Sequence, residues 1–183
     1  MKKVILACLL LVLCVAGGWF YGNRQAEEQK LFQHYQQRYF AAIGNNRAEE
    51  FAALAADLKA IVQQNPSEQW QLMYINLLIG QLRDYQQAAD IMAKLPIAQQ
   101  DPALGVTRCL LLERLQQPYQ DCYKQVLAQI AEPKNKDLNY WIALSGLKLP
   151  YTQQDVENSG LPKESIEYYL KTDRRILLES QFP

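Results

Sequence analysis

The sequence predicts an all-α chain: antiparallel helical hairpins stacked one on the next, behind a single N-terminal apolar segment. Three observations predict it. No stretch alternates apolar and polar residues as a half-buried strand does. Ala, Leu and Gln are abundant while Gly and Pro are sparse at eight each, and such a composition loses little on entering a helix. Between the few breakers, apolar residues recur at intervals of three and four. At 183 residues the chain can bury one ordinary core and still carry a targeting segment. Its formal net charge is zero, so no general attraction to nucleic acid or anionic lipid is expected.

The N-terminal segment comes first. After Met1-Lys2-Lys3, no charge occurs from Val4 to Gly22, and these 19 residues at about 1.5 Å each just span a hydrocarbon layer of about 30 Å. Lys2, Lys3 and the amino terminus outnumber Arg24 across the span, which places Met1 in the cytoplasm and everything after Tyr21 outside it. An uncleaved single-pass anchor in the inner membrane fits Trp19, Phe20 and Tyr21 at the membrane–water interface. A cleaved signal peptide, releasing a soluble periplasmic chain, fits the short apolar run ending in small residues near Ala16-Gly17-Gly18. A lipoprotein fits less well: Cys14 follows bulky Leu13, and the run before Cys8 is too short. All three export the remainder, and residues 1–22 are one organisational unit.

The helices follow in order. Asn23 to Ile43 carries Leu31, Phe32, Tyr35, Tyr39 and Phe40 at helical spacing, until Gly44-Asn45-Asn46 breaks it. Glu49 to Gln64 aligns Phe51, Leu54, Leu58, Ile61 and Val62, and Asn65-Pro66 stops it. Ser67 is a suitable cap for a third helix reaching about Leu82. Asp84 opens a fourth, which closes at Leu95-Pro96. Asp101-Pro102 opens a fifth with proline in its first turn. Gln117-Pro118 turns the chain, and Tyr119 to Ala131 brings it back. Asp137 to Lys148 is a seventh helix. A shorter pair, about Gln153 to Asn158 and Pro162 to Thr172, precedes a tail with Ile176, Leu177, Leu178 and Phe182. The repeating region is 23–148, and 149–183 forms a C-terminal hairpin and tail.

Two of these hairpins echo each other. Tyr85-Gln86 returns as Tyr119-Gln120 and Ala88 as Cys122, each displaced by 34 residues. A helix–turn–helix unit at that interval resembles the tetratricopeptide repeat, a superhelix of stacked hairpins. In its register Leu72, Ile75 and Ile79 match the apolar face of a first helix, and Met92 the large apolar site of a second. Val106, Cys109 and Val126 take three of those places in the next copy. The copies are degenerate: Asn76 and Leu110 stand where the family prefers a small residue, and Leu95 and Gln129 at a later alanine position. An unrelated stack of helical hairpins is the alternative.

In an exported chain, Cys109 and Cys122 read as one disulfide, or else as two small buried thiols. The resemblance puts them at adjoining positions of one hairpin, where its helices approach most closely, and so implies a bridge. The same register puts Trp70, Met73 and Leu77, then Leu104, Thr107, Leu111 and Arg114, on the first-helix surface that such arrays offer to a peptide or helix. For Trp70 a place in the core is the competing role.

Catalytic and metal chemistry is thin. His34 is the sole histidine, among glutamines, and offers neither a metal site nor a visible catalytic pairing. No glycine-rich phosphate loop occurs. Glu164-Ser165 and Glu179-Ser180 show the dipeptide used by exported helical lytic transglycosylases, an uninformative match by itself. Thr152 to Leu170 resembles a DNA-binding helix-turn-helix. However, Glu157 takes a usually buried place, and Glu164 and Glu167 would confront phosphates. A terminal hairpin capped by Thr152 with Asp155 explains the stretch better.

The expectation is therefore a non-enzymatic periplasmic interaction module, a scaffold or adaptor of the bacterial envelope. It has no catalytic residues, cofactor or metal, and no nucleic-acid partner. Its partner would be another protein, either an envelope component or a toxin that the chain neutralises as an immunity protein. A lytic-transglycosylase-like enzyme is the third reading. The membrane is a partner only through residues 4–22, if they are retained.

Overall fold

The computed structural model describes residues 25–45, 47–130 and 136–183; the expected membrane segment, residues 4–22, lies outside them. Two compact units divide the chain, Met1–Ala56 and Asp57–Pro183. Among the described residues there is no strand, and no helix is long and apolar enough to cross a membrane. The all-α expectation holds, and the arrangement is helical-repeat-like, compatible with tetratricopeptide-like hairpins.

In the first unit, α1 covers residues 25–45; α2 (Ala48–Gln64) begins just after the predicted Gly44-Asn45-Asn46 break, and its residues from Asp57 onward belong to the second unit. Ala42, Phe51 and Leu54 are buried. Arg47 pairs with Glu50 at 2.7 Å in the first turn of α2. His34 is exposed, its ring edge-on to Tyr35.

In the second unit, α3 (Glu68–Leu77) passes into a π-helical turn, Leu78–Leu82, and α4 (Tyr85–Lys94) returns. A 3-10 turn, Pro96–Gln99, leads to α5 (Pro102–Arg114) and α6 (Gln120–Gln129). Then come α7 (Leu138–Gly146), α8 (Gln153–Glu157), α9 (Lys163–Lys171) and α10 (Arg174–Gln181). Consecutive helices pack as neighbours from α3 to α7, with α9 on α7 and α10 on α5.

Local chemistry sets most of the starts. The side chains of Asp84, Asp101, Asp137 and Asp173 each accept a hydrogen bond from a backbone N–H in the first turn that follows, satisfying donors a helix leaves open. Thr152 and Asp155 form a reciprocal capping box. Ser67 is the exception: it stands at the cap position of α3, but its hydroxyl makes no capping bond and is buried without a partner. Three helices end in a left-handed residue that is not glycine: Arg83, Gln116 and Lys148. After two of these, Gln117 N–H returns to Leu112 O at 2.9 Å and Leu149 N–H to Leu144 O at 3.1 Å, the bonding of a Schellman ending.

The 34-residue echo is partly structural. Ile75 and Cys109, Ala88 and Cys122, and Met92 and Val126 are buried in both copies. Asn76 and Leu110 differ: a polar side chain is turned to solvent in one copy and a leucine is buried in the other. The left-handed residues Arg83 and Gln116 are 33 apart rather than 34 (116 − 83), because the π turn adds a residue at the end of α3. The second copy restores the interval in the longer Gln117-Pro118 turn.

The stretch resembling a DNA-binding motif is a terminal hairpin. Val156 of α8 and Ile166 of α9 close on Trp141 and Leu144 of α7, with Leu161 and Leu170 at the rim. Glu167 is held by Lys171 at 2.7 Å. The tail after Thr172 is a helix in its own right, which periodicity over so short a stretch did not indicate.

Candidate partner-binding site

The hairpin α5–α6 is built around Cys109 and Cys122, which form a disulfide with Cα atoms 5.5 Å apart. One turn along α5 from Cys109 stands Glu113, and next to Cys122 stands Tyr123. Tyr123 is fully buried, and its ring lies where a side chain at position 146 would otherwise be: a Cβ on Gly146 would overlap it. Glycine there is what lets α7 close on α6.

Glu113 and Tyr123 together receive Arg174, the first residue of α10. The Arg174 guanidinium donates Nε to Glu113 Oε1 at 2.7 Å and Nη2 to Glu113 Oε2 at 2.6 Å, a two-pronged contact. Nη2 also donates to the Tyr123 hydroxyl at 2.7 Å, which in turn donates to Glu113 Oε2 at 2.9 Å. The side chains of Arg174 and Glu113 keep only 20% and 7% of their surface exposed. Burial, reinforced by the Glu113 carboxylate against the opposing pull of Arg174, pushes the Tyr123 phenol well above its ordinary range, so it stays a neutral donor. Burial alone would lower the Arg174 pKa, but Glu113 and Tyr123 together outweigh that and raise it.

The far end of α10 is tied as well. Arg114 Nε donates to Phe182 O at 3.1 Å, and the Tyr85 hydroxyl donates to Pro183 O at 2.6 Å. The Phe182 ring meets Tyr85 edge-on at 5.6 Å, and Leu177, Leu178 and Phe182 are buried. Arg174, Leu177, Leu178 and Phe182 share one face of a short helix. The flank formed by α4, α5 and α6 thus holds an amphipathic helix by apolar contact and a cation at one end and by backbone carbonyls at the other. Beside α10 an open cleft of about 620 Å³ lies between Arg114, Tyr119, Arg175 and Glu179.

The residues the sequence assigns to a partner surface fall into two groups. Trp70, Leu77 and Leu111 are fully buried and Met73 nearly so, and in this arrangement they present no surface to a partner. Leu104, Thr107 and Arg114 are partly exposed, on one face of α5. Arg114 is already engaged by Phe182, which leaves Leu104 and Thr107 as the open end of that strip. Glu164 and Glu179 are exposed on different helices, and neither carboxylate makes an ion pair or hydrogen bond among the described residues. No group of three metal-ligating side chains occurs among the described residues.

Sequence reasoning missed Glu113, Tyr123 and Arg174. The only local signal was a carboxylate and an arginine at helix ends, which surface helices carry routinely. No protein-family model, curated protein or solved structure matches this chain.

Proposed function

We propose that this chain is a non-enzymatic protein-binding module of the bacterial envelope, a tetratricopeptide-like scaffold or adaptor working outside the cytoplasm. One observation carries the reading: the flank of α5 already holds a short amphipathic helix, α10, through side chains suited to helix-in-groove recognition. The 34-residue interval and the buried pairs Ile75/Cys109, Ala88/Cys122 and Met92/Val126 support the repeat architecture. The partner is a protein segment lying along the open end of the strip, against Leu104 and Thr107 and reaching toward Arg114. Residues 4–22, as anchor or cleaved leader, supply the export.

Capture from crosslinked envelopes tests this with the full chain. Leu104→Asp combined with Thr107→Arg places charges on the strip without touching the buried core. The variant should lose captured protein by roughly thirtyfold in affinity, about 2 kcal/mol, with an unchanged helical signal. The reading fails if a folded variant captures the same proteins as the parent chain. A captured toxin would make the module an immunity protein; a captured assembly component would make it a scaffold.

A further inference from the structure

On another face of the same hairpin lies a cleft of about 550 Å³, walled by Gly105 and Arg108 of α5, by Cys122, Gln125 and Gln129 of α6, and by Gln99 of the 3-10 turn. Its size falls within the range of ligand-sized pockets. Among the described residues that line it, Arg108 alone is charged. Among the described residues the Arg108 side chain has no hydrogen bond and no ion pair, and its Nε is buried without an acceptor. The Nε is closed to solvent, so a ligand in the cleft would meet the outer, Nη end of the guanidinium.

The other polar groups are amides. Gln129 Nε2 donates to Gln99 O, and Gln99 Nε2 to Ala93 O at 3.3 Å, so each of these two already spends one amide N–H within the wall. Gln125 has no bond among the described residues, and its amide is available to a ligand. The walls are fixed in place. The Cys109–Cys122 bond sets the spacing of α5 and α6. Gly105 allows their close approach, since a Cβ there would stand 2.9 Å from Val126 Cγ2.

We infer that this cleft is a carboxylate-binding site, with Arg108 as the ion-pairing group and Gln125 as a second donor. A planar guanidinium fork matches the two oxygens of a carboxylate, and one cation balances one negative charge. Nucleic acid and polyphosphates would require several cations. The carboxylate belongs either to a Glu or Asp side chain of a peptide or to a free small acid. The site is distinct from the α10 seat and stands whether or not that seat receives a partner.

Titrations of the isotopically labelled full chain, followed at the Arg108 Nε–Hε resonance, test this with three probes: succinate, a Gly-Ala-Glu-Ala-Gly amide, and the same peptide with Gln for Glu. A saturable shift with at least one carboxylate probe, and binding roughly tenfold weaker or absent for the Gln peptide, is expected. Arg108→Gln should abolish the response and Arg108→Lys should weaken it. Tighter binding of the Glu peptide than of succinate identifies a peptide source, and the reverse a free acid. The inference is overturned if neither carboxylate saturates, if the Gln peptide binds as well, or if Arg108→Gln responds like the parent. The peptide comparison on the parent chain decides the matter even if that variant does not fold.

Discussion

Replacing Arg174 with leucine tests the clamp that holds α10 to the disulfide-stapled hairpin. The substitution removes three charge-assisted hydrogen bonds, two to Glu113 and one to Tyr123. It strands a carboxylate that is only 7% exposed, with the Tyr123 hydroxyl as its remaining partner. Removing one partner of a buried pair costs about 3–5 kcal/mol. Arg174 keeps a fifth of its side chain in water, which favours the lower end, about 3 kcal/mol. At about 2–4 °C per kcal/mol for a chain of this size, the melting temperature should fall by roughly 6–12 °C. Urea denaturation followed by circular dichroism gives the free energy, and hydrogen exchange should show protection lost first across residues 174–182. The double variant Glu113→Leu/Arg174→Leu removes both charges and should recover at least about 1 kcal/mol relative to Arg174→Leu. A loss of less than about 1 kcal/mol in Arg174→Leu would refute the reasoning, because the pair would then behave as a solvated surface bridge.

The Cys109–Cys122 bond closes a loop of about 14 residues and should contribute about 3 kcal/mol, so Cys122→Ser should lower stability by that amount. Non-reducing peptide mapping should join the two cysteines, and alkylatable thiols at both in protein made in an oxidising compartment would count against the bridge. Gln116→Gly relieves a left-handed backbone at φ 56° and should stabilise the chain by about 0.5 kcal/mol, the relief being offset in part by glycine's extra freedom when unfolded; an unchanged or lower urea midpoint would oppose this. Bonds from the Thr152 hydroxyl and backbone N–H, and from Lys136, hold the Asp155 carboxyl down at about 2. Because this folded pKa is depressed, the cap's contribution is complete above the ordinary carboxylate range and disappears as pH falls from about 4 through about 2. Carbon-detected titration should show Asp155 returning toward an ordinary carboxyl in Thr152→Ala, and no change there would remove the capping box as the cause. A phosphatase reporter active only outside the cytoplasm, fused after Pro183, should be active; an inactive but stable fusion would end the exported reading.

By itself the sequence determined the features that depend on neighbours along the chain. A cap needs one oxygen within a turn of free N–H groups, so Asp84, Asp101, Asp137 and the Thr152–Asp155 pair marked helix starts that the structure repeats. The 34-residue echo, given the family's register, implied which cysteines would face each other, and they are joined. The tertiary structure decided what depends on packing at a distance. Helix α3 buries Trp70, Met73, Tyr74, Ile75 and Leu77 on more than one side, so no single stripe could show which flank faces solvent. Arg174 lies 61 positions from Glu113 and 51 from Tyr123, and each alone is an ordinary helix-end residue. Only the fold, with Gly146 opening space for the Tyr123 ring and α10 returning to α5, makes them one buried cluster. Local patterns are written at the spacing of a helical turn, whereas the meeting of distant side chains follows from how whole helices bury their faces.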